Sequence, residues 1–244
     1  PGLGGIQPSQ SDYFQATKSG GHGDYHMLVL APHTLQEAVS LTMEAFDLAD
    51  KYRNPVMVLG DGYMGQMMEP VKFEKTASQR TYVKNWALTG AKGRPRNMLR
   101  TLFLDPVVLE KKNLEINRKV QEIIKNEVRV ETYQTDDAEV IIAAYGTVAR
   151  IAKTAIKVLR EKGIKAGLVR PITVFPFPYK TFEKIADKVD KFLATEMSFG
   201  QMLEDVKLGV CGKAQIQFYG RTGGMVPSYD EIVNETVKLV KEAG

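Results

Sequence analysis

After an opening stretch without any period, the apolar positions of this chain fall alternately into short continuous runs and helical stripes. His26–Ala31 (HMLVLA) is an apolar run bounded by Asp24 and Pro32, which predicts a buried strand. Thr34 has the chemistry of an N-cap, and Glu37 three residues on makes a capping box. Leu35, Ala38, Val39, Thr42, Ala45, Phe46, Ala49 and Tyr52 then keep helical spacing, while Gln36, Glu37, Ser40, Glu44, Asp47 and Lys51 fall on the other side. Asn54-Pro55 stops this helix. Val56–Leu59 is a second buried strand that ends at Gly60-Asp61-Gly62. Strand, helix and strand in that order predict a parallel pair with a right-handed crossover.

Lys72–Asp105 is polar and irregular, and Val107–Asn126 returns to helical spacing with Leu109, Ile116, Val120, Ile123 and Ile124 along one stripe, a helix connecting two halves. From Asp136 the alternation becomes regular. Strands are expected at Val140–Ala144, Ala166–Val169, Phe192–Thr195 and Ile216–Tyr219. Helices are expected from Val148 to a C′ glycine at Gly163, over Tyr179–Val189, over Gln201–Leu208 and over Tyr229–Lys241, with Phe175-Pro176-Phe177-Pro178 as a rigid connection. Four parallel-capable strands separated by helices make a small open α/β sheet covered on both faces. The N-terminal pair of strands, by contrast, leaves an edge unpaired.

The length, 244 residues with 43% apolar content, suggests one large or two small domains at ~150 residues per domain, and two are expected. The charge, 33 basic against 29 acidic residues for a net +4, is well mixed and forms no basic stripe, so it favours solubility over nucleic-acid binding. The cluster Lys92, Arg94, Arg96 and Arg100 beside Trp86 lacks aromatic interleaving and reads as a linker or subunit contact. Cys211 is the single cysteine, so this chain cannot by itself supply a disulfide, a four-thiolate cluster or a four-thiolate zinc site. Apolar runs fall far short of the ~18 residues of a membrane span and no signal peptide opens the chain, which makes the cytoplasm the expected location.

Candidate chemistry concentrates in the opening stretch, PGLGGIQPSQSDYFQATKSGGHGD. Its glycines allow close backbone approach, and its Ser and Gln side chains offer neutral donors and acceptors to a small molecule. The same composition also describes an ordinary surface loop. The chain opens at Pro1-Gly2 without Met, inside what reads as a functional loop, and further residues are expected upstream. Gly60-Asp61-Gly62 has the look of a magnesium-diphosphate motif, but Asn85 follows at short spacing and Asp-Gly at a strand end is equally a turn. Tyr145-Gly146-Thr147 lies between a strand and a helix N-terminus, where either a phosphate or a tight turn fits. His22, His26 and His33 crowd one segment without a nucleophile beside them; His22, between Gly21 and Gly23, is the one placed for a ligand or for a turn.

Several stretches together resemble one family. PGLGGIQPSQSDYFQ and GGHGDYH, then AFDLADKYRNPVMVLGDG, GQMMEPV, DAEVIIAAYGT, VRPITVFPFP, EMSFGQM and FYGRTGG are similar to the α subunit of the 2-oxoacid:ferredoxin oxidoreductases, in particular the branched-chain (2-ketoisovalerate) subclass, over essentially the whole length. The resemblance implies a partial thiamine-diphosphate pyrimidine-type domain at 1–73, a linker with a connecting helix at 74–130, and a transketolase C-terminal-like open parallel sheet domain at 131–244. It implies oxidative decarboxylation of a 2-oxoacid with coenzyme A and oxidised ferredoxin, giving acyl-CoA, carbon dioxide and reduced ferredoxin. Thiamine diphosphate would be shared with a β subunit that holds the diphosphate and Mg²⁺. Iron–sulfur clusters would lie on the β and ferredoxin-like subunits, with a γ subunit completing the complex and neither nucleic acid nor membrane as partner.

The family's activating acidic residue lies in a segment that nothing in this sequence matches, so no catalytic residue and no metal ligand is assigned. By resemblance the loop Gly2–Asp12 faces cofactor and substrate, which makes Gly4, Gly5, Ser9, Gln10, Ser11 and His22 the expected cofactor contacts. Relatives that use dicarboxylic 2-oxoacids read more like PSTGLPT there; Ile6-Gln7-Pro8-Ser9 is more apolar and implies a branched aliphatic substrate. Two other classes carry different expectations. A β component of a lipoamide-linked 2-oxoacid dehydrogenase would transfer acyl groups to lipoamide, and a non-catalytic interaction domain would bind nucleic acid in a salt-dependent way.

Overall fold

The computed structural model of the chain describes residues 7–73 and 82–241. Two sheets organise them. The first has the order β2-β1-β6, from β1 (Leu28–Leu30), β2 (Val56–Val58) and β6 (Thr173–Phe175). The second has the order β3-β5-β4-β7-β8, from β3 (Val130–Tyr133), β4 (Val140–Ala143), β5 (Ala166–Pro171), β7 (Lys191–Glu196) and β8 (Gln215–Gly220).

β1 and β2 pair in parallel, Val29 opposite Met57, as the strand, helix and strand order predicts. The helix between them, α2 (Leu35–Tyr52), starts where Thr34 Oγ1 accepts the Glu37 amide at 3.1 Å. The reciprocal half of the box is displaced by one residue: the Glu37 carboxylate takes the amide of His33 at 2.8 Å. The buried stripe of α2 is Leu41, Ala45, Leu48 and Tyr52, at i, i+4, i+7 and i+11. Phe46, expected on that face, is 72% exposed, because it lies about 100° around the helix from Ala45. β1 alternates in the manner of a strand covered on both sides, Leu28 and Leu30 against α2 and Val29 and Ala31 against the larger core.

The open parallel sheet of the second half is present with one correction. β4, β5, β7 and β8 are mutually parallel, but a fifth strand, β3, closes the edge antiparallel to β5, so the sheet is mixed. Glu131 inside β3 interrupts the apolar run that would have marked it, which suits an edge position. α5 (Gly146–Glu161) and α8 (Tyr229–Lys241) cover one face; α6 (Tyr179–Ala186) and α7 (Gln201–Val210) cover the other. In β4, Val140 and Ile142 point to the first of these layers and Ile141 and Ala143 to the second.

The sheet edge expected to be bare beside β1 is covered. β6 runs antiparallel to β1, and the Ala31 amide donates to Ile172 O at 2.7 Å. Thr173–Phe175 escaped sequence reading because a three-residue strand within the four residues between Pro171 and Pro176 is too short to show a period. The two sheets are also joined by charge. Arg170, its side chain 3% exposed, donates Nε to Glu131 at 2.6 Å and both terminal nitrogens to Glu37 at 2.9 and 3.0 Å. Lys153 completes the cluster on Glu131 at 2.5 Å.

α4 (Pro106–Asn126) opens on Asp105, whose carboxylate accepts the amides of Val107 and Val108. Of its expected stripe only Val120 and Ile123 are buried, while Leu109 and Ile124 are exposed.

Candidate functional site

The described part of the opening loop is built onto the carboxyl ends of two neighbouring strands, the side of an open α/β sheet where ligands bind. Gln10, 6% exposed, does most of the anchoring. Its amide nitrogen donates to Tyr145 O beyond β4 at 3.0 Å, its Oε1 accepts the Met197 amide beyond β7 at 2.8 Å, and its own amide donates to Met197 O at 2.9 Å. Space for this amide exists because residue 146 is glycine: a Cβ there would sit 3.1 Å from Gln10 Nε2, and its φ of +55° is the left-handed conformation that side chains disfavour. Tyr145-Gly146-Thr147 is accordingly a tight turn filled by Gln10.

α7 clamps the next turn of chain, α1 (Tyr13–Thr17). Gln201 donates Nε2 to Ser11 O at 2.6 Å and accepts the Phe14 amide at 2.7 Å. One turn later Asp205, 1% exposed, accepts the hydroxyls of Tyr13 and Tyr179 at 2.7 and 2.6 Å and the Lys18 ammonium at 2.8 Å. Burial, then the adjacent carboxylate, pushes both tyrosine hydroxyls well above their ordinary range, so they stay donors. α7 is itself capped from below: buried Glu196 accepts the amides of Met202 and Leu203. Burial raises the Glu196 carboxyl in spite of those bonds.

Two neighbouring spaces flank the clamped loop. A small internal cavity of about 30 Å³, room for little more than a water, lies among Ser9, Asp12, Leu59, Asp61 and Gly146. Outside it opens a cleft of about 1010 Å³ whose floor is Met27, Met57 and Leu59 and whose rim carries Asp12, Lys18, His22 and Glu204. Asp12 and Leu59 line both. Asp61 is a helix cap: its Oδ1 accepts the amides of Tyr63 and Met64 at 3.0 Å, opening α3 (Gly62–Gln66). Among the described residues no group of three His, Cys, Asp or Glu side chains comes together as metal ligands.

The expected contact residues among those described each have a definite place. Gly4 and Gly5 lie outside the described residues. Ser9 borders the internal cavity, and its Oγ lies 3.0 Å from Ser11 Oγ. Gln10 borders it too, but spends its amide on the two strand ends. His22 stands apart on the cleft rim, edge-on to Tyr25 at 5.9 Å between ring centroids. The three histidines do not converge: His26 stacks on Phe175, and His33 Nδ1 meets Glu37 at 2.6 Å. Arg94 and Arg100 of the basic cluster turn back on carbonyls of their own segment, Pro95, Ala87 and Leu102. Sequence reading missed Asp12, Leu59, Met27, Met57, Lys18 and Asp205. A strand-end position signalled Leu59 and Met57; for Asp205, a buried acid on a helix, the spacing of four from Gln201 was the available clue.

Comparison with known proteins agrees with this layout. The family model described as pyruvate flavodoxin/ferredoxin oxidoreductase, thiamine diphosphate-binding, matches residues 2–135, and that of pyruvate:ferredoxin oxidoreductase core domain II matches residues 138–232. The ketoisovalerate oxidoreductase subunit VorB of Methanothermobacter marburgensis is 42% identical over 243 residues, which are 100% of this chain and 69% of that one. Among solved structures, the 2-oxoglutarate:ferredoxin oxidoreductase from Magnetococcus marinus, with 2-oxoglutarate, coenzyme A and succinyl-CoA bound, superposes with a TM-score of 0.75 at 22% identity, covering 98% of this chain and 47% of that chain. A split-gene transketolase, an inactive β4 tetramer, gives 0.50 at 15% identity over 88% of this chain and 57% of its own, a likeness of fold. This α/β chain thus spans about two-thirds of its curated relative and about half of the solved oxidoreductase chain. With its cofactor-domain model, its core-domain model and a relative 42% identical across the whole of this chain, the protein belongs to the pyruvate flavodoxin/ferredoxin oxidoreductase family.

Proposed function

We propose that this chain is the α-type subunit of a thiamine-diphosphate-dependent oxidoreductase that converts a branched-chain 2-oxoacid of the 2-ketoisovalerate class, coenzyme A and oxidised ferredoxin into acyl-CoA, carbon dioxide and reduced ferredoxin. The observation that carries this reading is the cleft beneath the clamped Ser9–Lys18 loop, floored by Met27, Met57 and Leu59, an apolar bed of the kind an aliphatic tail needs. The 42% identity to a ketoisovalerate oxidoreductase subunit supports the same substrate class.

The residues present fit one part of the cofactor and not the other. A flat aminopyrimidine suits the rings of Phe14, His22 and Tyr25, which line the same cleft beside its floor. A diphosphate does not suit the cleft, because the one lysine or arginine lining it, Lys18, is held by Asp205. Diphosphate, Mg²⁺ and iron–sulfur clusters are therefore assigned to β and ferredoxin-like partners, with a γ subunit completing the complex. When bound, thiamine diphosphate supplies the ylid that attacks the ketone and takes up the electrons left after decarboxylation. This chain contributes orientation: Gln10, Gln201 and Asp205 fix the loop, and Ser9 and Ser11 present hydroxyls to the ligand. Functionally, 1–73 is the cofactor-facing part, 74–130 the linker and 131–244 the platform. No helix among the described residues is long and apolar enough to cross a membrane, and the cytoplasm is the proposed location.

Anaerobic reconstitution with the partner subunits, followed by methyl viologen reduction on a series of 2-oxoacids, tests the reading. The highest kcat/KM is expected with 2-ketoisovalerate, and none with this chain alone. Acyl transfer to a lipoyl domain without viologen reduction, or salt-dependent RNA binding with no turnover, would replace it.

A further inference from the structure

Among the ionisable groups around the cleft, Asp12 differs from the rest in three respects. It is the one charged side chain that lines the cleft and the internal cavity alike, and Leu59 is the apolar residue they share. Among the described residues its carboxylate accepts no hydrogen bond and forms no ion pair, although it stands at the N-cap of α1. Its charge is felt inside the site, since it acts with Glu196 and Asp61 to raise the fully buried Tyr145 hydroxyl, after burial itself.

The charges around it do not offset it. The Lys18 ammonium across the rim is bound at 2.8 Å by Asp205, a carboxylate that does not line the cleft. Glu204 adds a second negative charge to the rim. Apolar floor and anionic wall together favour a substrate whose far end is hydrocarbon and disfavour one whose far end is a second carboxylate, which would lose water and meet like charge.

We propose that Asp12 is a specificity-determining residue, which excludes dicarboxylic 2-oxoacids from the cleft by charge repulsion while the floor of Met27, Met57 and Leu59 accepts a branched aliphatic tail. The assignment rests on the functional reading above. It requires no contact between Asp12 and the reacting atoms.

The reconstituted complex, with wild-type chain, Asp12→Asn or Asp12→Lys, is assayed with 2-ketoisovalerate and with 2-oxoglutarate at low and high salt. The ratio of kcat/KM for 2-oxoglutarate over 2-ketoisovalerate should rise about tenfold in Asp12→Asn and further in Asp12→Lys, through KM, with the gain shrinking in salt. Equilibrium dialysis of radiolabelled 2-oxoglutarate against complex stripped of thiamine diphosphate should show the same order of binding without turnover. An unchanged ratio in assembled complexes of both variants, or an equal loss on both acids, overturns the role of Asp12 and leaves the functional reading in place. A wild-type complex inactive on both acids brings down the functional reading, and this assignment with it.

Discussion

Gln10 and Tyr145 hold each other twice, the glutamine amide donating to Tyr145 O at 3.0 Å and the tyrosine hydroxyl donating to Gln10 O at 3.3 Å. Truncation to Gln10→Ala leaves the Met197 amide without its side-chain acceptor in a buried place, and leaves Tyr145 O with the Ala149 amide at 3.3 Å. A loss on the order of 2–3 kcal/mol in urea unfolding is expected. Ser9→Ala, whose hydroxyl bonds only within its own turn, should unfold within about 1 kcal/mol of wild type yet lower kcat/KM of the reconstituted complex about tenfold. Matching stability losses and matching activity losses in the two variants would show that the loop is scaffold throughout.

Asp205 satisfies two tyrosine hydroxyls and one ammonium from the interior of α7. Asp205→Ala orphans Tyr13 and Tyr179, and roughly 2–4 kcal/mol of stability should go with it. Tyr179→Phe removes one bond and should cost about 1 kcal/mol. Urea midpoints of the two variants give the comparison, and equal shifts would mean that Asp205 is not the common anchor.

Burial alone would raise Glu37, but the bonds from His33 and Arg170 outweigh it and bring the carboxyl from 4.5 down to about 2. A depressed folded value means that the stabilisation is complete above the unfolded pKa and is lost as pH falls from about 4.5 towards 2. The amount is on the order of 3 kcal/mol, the side chain being 20% exposed. Glu37→Gln should flatten the acid limb of a stability–pH curve in that window; an unaltered limb would place the acid sensitivity elsewhere.

Limited proteolysis should cut first in the segment 82–105, which has turns but neither helix nor strand and is largely exposed, with Val83 89% and Leu104 82% exposed. The two pieces should then elute together, because Tyr13, Val29 and Ala31 share one core with Val169, Phe182 and Phe192. Separation of the fragments on a sizing column after a single nick would show that this core does not hold them.

Legibility in the sequence followed the strength of local signals. β1 and β4 are unbroken apolar runs, β5 and β7 carry such runs at Ala166–Val169 and Phe192–Ala194, and α8 was bounded at Tyr229 and Lys241 as found. β3 and β6 were invisible because both are defined by partners: β3 is an edge strand with a charge inside it, and β6 is three residues that become a strand by lying beside β1. Phe46 misled because a large apolar residue next to a stripe looks like part of it. The site was legible as a place, since glycine, serine and glutamine crowd one loop. Its wiring was not. Which glutamine is an anchor and which serine is free depends on Tyr145, Met197 and Asp205, all more than a hundred residues away in the chain.

Ile172 is the only residue between β5 and β6, so ten consecutive residues, 166–175, serve in two different sheets. No slack exists there for one sheet to turn against the other: a swing of the first sheet would have to strip the β1–β6 ladder or drag β5 out of register. Among the described residues the two sheets are therefore one mechanical unit, and a ligand seated between the clamped loop and β1 and β2 meets walls that cannot move independently.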